Sequence, residues 1–166
     1  MKLKKESVVM KVRMATVNDI DLLIKVRFDY FDADNWELTV DKKNMIYSQL
    51  QQYYPEHLNK DFFAALVEDA NEDIVSAAFL IISEKPANLY FPTGKTGTIL
   101  NVLTYPEYRK MGYATKALNS LIDEAKNQNL SYIELSASEL GKPLYQKLGF
   151  LKFEESHHEK MKLALI

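Results

Sequence analysis

The chain has 166 residues, a formal net charge of −2, 47% hydrophobic and 27% charged residues. That is enough chain for one domain with a substantial core, and it lacks the strongly basic field that would argue for nucleic acid. The absence of cysteine excludes disulfides, a cysteine nucleophile and thiolate metal sites.

Met1 to Ser7 is basic, but no apolar run of signal-peptide length follows it. No stretch approaches the roughly 18 apolar residues of a membrane span. The expectation is a soluble cytoplasmic protein with no membrane or nucleic-acid partner. It would form a single domain over residues 1–166, with residues 1–7 as a tail.

Val8 to Met14 alternates as a first strand would. Thr16 with Asp19 forms an approximate capping box, Asp standing in for Glu or Gln. Ile20, Leu23, Ile24 and Phe28 then recur at helical spacing to about Phe31. A second helix is predicted from about Val40 to Tyr54, stopped by Pro55. Phe62 to Val67 and Ile74 to Ser83 are β-branched, aromatic and apolar. With Asn71–Glu72–Asp73 as a turn they read as an antiparallel hairpin.

Lys85 to Gly97 reads as a loop, and Thr98 to Thr104 as the fourth strand. A helix follows Gly112. Its apolar residues Ala114, Ala117, Leu118, Leu121, Ile122 and Ala125 lie three and four apart and define one buried face. Tyr132 to Leu135 is a fifth strand. Leu140 to Leu148 is a short helix with Pro143 in its first turn and Gly149 at the place of a C-terminal cap. Phe150 to Phe153 and Lys160 to Leu165 read as the last two strands. This order argues an α+β (mixed α/β) domain around one central mixed sheet of about six to seven strands, with about four helices.

The most informative segment runs from Thr104 to Thr115. Between a strand and a helix lies Arg109-x-x-Gly112-x-Ala114, a turn with basic side chains and small residues. Helix N-terminal N–H groups lack intrahelical partners, and the helix dipole favours an anion there. Small side chains at Gly112 and Ala114 leave room for a pyrophosphate to approach the backbone.

This turn resembles the acetyl-CoA-binding signature Arg/Gln-x-x-Gly-x-Gly/Ala of GNAT-type N-acetyltransferases. Tyr145–Gln146–Lys147–Leu148–Gly149–Phe150 resembles the second hallmark of that family, Tyr-x-x-x-Gly-Phe. The match is clear from about Thr98 to Phe153, and the element order is compatible with it back to Met10. The resemblance implies a mostly antiparallel sheet splayed between strands 4 and 5, with pantetheine pairing to the fourth strand.

The resemblance also implies roles. Acetyl-CoA would be the co-substrate and an amine of a small molecule or peptide the acceptor, with no metal. The N–H groups of Met111, Gly112, Tyr113, Ala114 and Thr115 would hold the pyrophosphate. Arg109, Lys110 and the Thr115 hydroxyl would support them. Backbone atoms of Val102, Leu103 and Thr104 would hold pantetheine and the acetyl carbonyl, the Leu103 N–H serving the oxyanion. Ser138 falls where a cofactor-contacting residue is often found. Tyr145, a phenol with an ordinary pKa near ~10, would be the general acid for the departing thiolate. Its other reading is a helix tyrosine that packs on the cofactor without proton transfer.

The family's usual strand-4 glutamate position holds Leu100, which cannot be a base. A water ordered by Asn101 or a backbone carbonyl, a carboxylate near the first two helices, or an amine of low pKa are the alternatives. Asp32, Asp34 and Glu37 read first as a solvated acidic turn; facing the cleft, they would favour a cationic acceptor. GNAT proteins are often dimers, so a homodimer is one expectation. A non-catalytic acyl-CoA-binding module is the second functional reading.

Three other features were weighed. Gly94–Lys95–Thr96 matches the end of a P-loop, but Leu89 stands where its first glycine belongs, so a turn is preferred. His157 and His158 beside Glu154, Glu155 and Glu159 lack a third placed ligand and read as a polar hairpin. The aromatic clusters 28–31, 47–54 and 105–113 are either packing or the lining of a pocket.

Overall fold

The structure, a computed structural model, describes residues 10–153 and 159–166. Its backbone divides into two units, Met1–Ser136 and Ala137–Ile166. The first holds a five-stranded sheet in the order β1-β2-β3-β4-β5. The strands are β1 (Lys11–Met14), β2 (Phe62–Glu68), β3 (Ile74–Glu84), β4 (Lys95–Thr104) and β5 (Ile133–Glu134). Neighbours β1 to β4 pair antiparallel, and β4 pairs parallel with β5. Three helices accompany them: α1 (Ile20–Ala33), α2 (Val40–His57) and α3 (Tyr113–Asn127).

α1 begins where the sequence says it should. The Thr16 hydroxyl accepts from the Asn18 N–H, and the Asp19 carboxylate accepts from the Thr16 N–H at 2.7 Å. Arg13 on β1 clamps this start, donating to both Asp19 oxygens at 2.7 and 2.8 Å and to Glu68 on β2.

β2 is buried at every position, so both faces of the sheet are covered. Phe62, Ala64, Leu66 and Phe79 form one core with Leu23, Val26, Leu50 and Tyr54 of α1 and α2. α3 packs against β2 and β3. Its Ala117, Leu118, Leu121 and Ala125 are buried as the helical spacing predicts. Each fully buried leucine or phenylalanine contributes about 1.5–3 kcal/mol.

Three sequence expectations are corrected. α2 does not stop at Pro55; it runs to His57 with the proline inside its last turn. Proline removes one N–H there, and the Leu58 N–H still reaches the Tyr54 carbonyl at 2.9 Å. β4 starts at Lys95, not Thr98, so Lys95 and Thr96 are strand residues opposite Glu84 and Ser83. The P-loop reading ends there. Gly97 lets the strand pass close to its neighbours: a Cβ there would lie 2.7 Å from Leu80 and 2.9 Å from Ile133.

The second unit contains α4 (Lys142–Lys147). Phe150–Phe153 and Lys160–Leu165 carry no strand pairing among the described residues, so the sheet has five strands instead of six to seven. Alternation at Met161, Leu163 and Leu165 gives strand propensity, but a strand also needs a partner ladder, which local pattern does not supply. Val8, Glu154, Glu155, His157 and His158 lie outside the described residues.

Candidate active site

β4 changes character halfway along. Ala77 pairs with Leu103 and Phe79 with Leu100, so β4 uses three steps where β3 uses two. The extra residue is a β-bulge at Asn101, whose φ is 54°. Asparagine tolerates this left-handed backbone better than most residues. On the other side, β5 pairs only with Gly97 and Thr98. From Ile99 to Thr104 that edge has no strand partner among the described residues. The result is a row of N–H and C=O groups available to an extended ligand.

This edge leads directly into the basic turn. A short 3-10 turn, Pro106–Tyr108, precedes it. Arg109 Nε donates back to the Thr104 carbonyl at 3.1 Å, tying turn to strand. Lys110 and Gly112 both have positive φ, 61° and 81°. Gly112 is the residue before α3, and no side chain caps that helix. The first helical bond is from the Lys116 N–H to the Gly112 carbonyl. The N–H groups of Tyr113, Ala114 and Thr115 are therefore left over, with no acidic residue in the first turn. Nothing lies within 4 Å of where a Gly112 Cβ would be. An uncapped helix start with open space beside it is the kind of backbone geometry that suits an anion.

Beside the sheet is a cavity of about 230 Å³. Arg27 of α1, Tyr53 and Tyr54 of α2, Phe62, Phe79 and Leu100 help to line it. Part of the middle aromatic cluster thus lines a pocket. Arg27 is half-buried over the Phe31 ring at 4.5 Å. Its Nη1 donates to Asn101 Oδ1 at 3.2 Å. Asn101 is 1% exposed, and its Nδ2 has no hydrogen-bond partner. Burial lowers the Arg27 pKa and raises that of Tyr54, although each group's charge opposes the other's shift. Tyr105 is pushed up to about 12 by burial and by its hydrogen bond to Asp29.

In the second unit, the Tyr145 motif is a helix cap. The Gly149 N–H donates to Gln146 and the Phe150 N–H to Tyr145, both at 3.0 Å, with Gly149 at φ 93°. That is a Schellman motif, and the Tyr145–Phe150 ring contact at 6.0 Å is its apolar companion. Ser138 Oγ accepts from the Gly141 N–H at 3.1 Å and so helps to start α4.

Residues 28–150 match the model of the Acetyltransferase (GNAT) family. The chain belongs to the GNAT acetyltransferase family. A predicted acetyltransferase from Clostridium acetobutylicum, solved with acetyl-CoA, is 32% identical; the match covers 92% of this chain and 96% of that one, with a TM-score of 0.78. A GCN5-related N-acetyltransferase from Ralstonia eutropha JMP134 is 20% identical, covering 92% and 99%, with a TM-score of 0.74. An aminoglycoside N-acetyltransferase in complex with CoA is 12% identical, covering 97% and 100%, with a TM-score of 0.69. The last two show the fold alone. No curated protein matches in sequence.

In this GNAT acetyltransferase, the fold brings together much of the predicted set. Asn101, Val102, Leu103 and Thr104 lie on the unpaired stretch of β4, and residues 109–115 on the turn that follows. Asp32, Asp34 and Glu37 are exposed and do not line the cavity. Asp34 accepts from the Trp36 indole N–H at 2.7 Å. Asp32 lies in the last turn of α1, and Asp34 and Glu37 follow it, all three on a solvated surface. Sequence reasoning missed Arg27. Its signal was present: a lone arginine three or four residues from Leu23, Ile24 and Phe31, on the apolar stripe of α1.

Proposed function

We propose that this enzyme transfers an acetyl group from acetyl-CoA to an amine, and that β4 and the 109–115 turn bind the cofactor. One observation carries the reading: the unpaired edge of β4 leads, through the short connection at residues 105–112, to an uncapped helix N-terminus. The residues fit the group. Gly112 leaves open space at the concavity, and three N–H groups of α3 stand without partners. The relative from Clostridium acetobutylicum was solved with acetyl-CoA.

When bound, acetyl-CoA supplies an activated thioester. The N–H groups from Met111 to Thr115 bind its pyrophosphate, with Arg109, Lys110 and the Thr115 hydroxyl beside them. Main-chain groups of Val102, Leu103 and Thr104 orient the pantetheine arm. The Leu103 N–H stabilises negative charge on the carbonyl oxygen. In the transfer the amine nitrogen would displace the thiolate from the acetyl carbonyl; the Tyr145 hydroxyl would give a proton to the departing sulfur and regain the one the nitrogen loses, and Ser138 would contribute a polar contact. Asn101 Oδ1 accepts from Arg27 and its Nδ2 is without a partner; a carboxamide is no base, so Asn101 would act by ordering a water.

Turnover with an amine panel tests this. Tyr145→Phe should lower kcat about 10²–10⁴-fold, the usual contribution of a positioned acid, with CoA affinity unchanged. Unchanged kcat would remove Tyr145 from proton transfer. The apolar Leu100 in the cavity wall favours a second reading, a non-catalytic acyl-CoA-binding module. Acetyl-CoA binding by wild type without turnover of any amine would select it.

A further inference from the structure

The acceptor side of the site has an unbalanced charge. Arg27 is the only charged residue among the nine that line the cavity. Among the described residues, no carboxylate lies within 4.0 Å of it. Its one hydrogen bond goes to a neutral amide, Asn101 Oδ1, and its one other support is the face of Phe31. A guanidinium carries five N–H donors, and among the described residues one of them has a protein acceptor. Burial already disfavours its charge. Next to it, the Asn101 Nδ2 donor is buried and unpartnered. Arg27 and Asn101 together are thus short of acceptors, not donors. Buried polar groups such as Asn101 are ordinarily paired, and an anion entering the cavity would supply acceptors to both this amide and the half-buried guanidinium.

We propose that the acceptor carries an oxyanion, a carboxylate or a phosphate, and that Arg27 binds it in this cavity. The proposal rests on the acetyltransferase reading and names its substrate class. The planar fork of arginine suits two-oxygen anions. A volume of about 230 Å³ is below the ~300–1,000 Å³ typical of drug-sized ligands. It suits an amino acid or a small phosphorylated amine. The exposed Asp32, Asp34 and Glu37 do not line the cavity, so its walls offer no counter-charge to a polycationic acceptor.

The test uses the full chain, with and without CoA, in thermal-shift and calorimetric titrations. The probes are a panel of N-acetyl amino acids, their matched carboxamides, O-phosphoethanolamine and spermidine. At least one oxyanion probe should bind, and carboxamides should bind at least tenfold more weakly than their acids. Arg27→Gln should lose at least tenfold in affinity for that probe while keeping its CoA shift. Arg27→Lys should recover part of the loss. A response to acids alone or to the phosphate alone tells carboxylate from phosphate. Equal binding of acids and amides, a preference for spermidine, no binding of any oxyanion probe, or an unaffected Arg27→Gln would overturn the proposal. The wild-type comparison of acids with amides stands even where a variant fails to fold. Absence of a CoA shift in wild type would contradict the cofactor reading instead, leaving the titrations without CoA readable.

Discussion

At the scale of single residues, charge pairing and backbone conformation make distinct predictions. Arg13 holds the Asp19 carboxyl at about 2, well below the ordinary 3.8, mainly through its hydrogen bonds and against the opposing effect of burial. A carboxylate whose folded pKa is depressed stabilises the fold above its unfolded pKa. That contribution is lost as pH falls through the folded value. Asp19→Asn should therefore cost about 1–3 kcal/mol at pH 7, the range for leaving a buried partner unsatisfied. The gap between variant and wild type should close between about pH 4 and pH 2. Chemical denaturation across that range measures it; a gap independent of pH would show that Asp19 does not act through its charge. Gly112 makes the complementary case. It has open space but a φ of 81°, so Gly112→Ala should cost about 1 kcal/mol from backbone strain alone, read as a lower Tm.

At the scale of elements, the two glycines that matter most act for different reasons. Gly97 lets β4 pass close to β5, Leu80 and Leu130. Gly97→Ala forces a methyl group into space already filled, and overpacking of that kind costs about 1–3 kcal/mol. The variant should also weaken β5, whose only pairings are at Gly97 and Thr98. Faster amide exchange at Ile133 and Glu134 would report that, and unchanged exchange would contradict it. Gly149 ends α4 in the left-handed conformation, so Gly149→Ala should cost about 1 kcal/mol. It should also shorten α4, as read by chemical shifts of residues 145–148.

Elements with strong local signals were legible in the sequence. The capping box of Thr16 and Asp19, the stripe of α3 and the Gly149 cap all appear as expected because neighbours along the chain determine them. Pro55 misled because a proline in a last turn removes only one bond. Lys95 and Thr96 were missed as strand residues because their pairing is set by Ser83 and Glu84, eleven or more positions away. The same dependence on distant partners explains why the alternation after Lys160 did not yield a strand.

For the whole molecule, the cofactor half of the candidate site was readable and the acceptor half was not. A turn that binds phosphate must expose backbone N–H groups, which demands small residues at fixed offsets and leaves a mark on the sequence. The cavity proposed for the acceptor is assembled from α1, α2 and three strands, and side chains so far apart leave no linear motif. Arg27 and Asn101 are 74 residues apart. Leu100 could be read as a missing carboxylate, but its place in the cavity wall required the fold. The acidic residues between 32 and 37 read first as solvated surface, and they are exposed, whereas the cavity itself presents a guanidinium.

The measurement that bears most directly on the account is a thermal-shift titration with acetyl-CoA, CoA and ATP on wild type and Gly112→Glu. Ligand at 100 times its Kd adds about 2.7 kcal/mol of stability. Acetyl-CoA and CoA should raise the Tm of wild type, ATP should do so less, and a folded Gly112→Glu should lose the response. No shift of wild type with either CoA species would contradict it, and the turn at residues 109–115 would then be only a connection between β4 and α3.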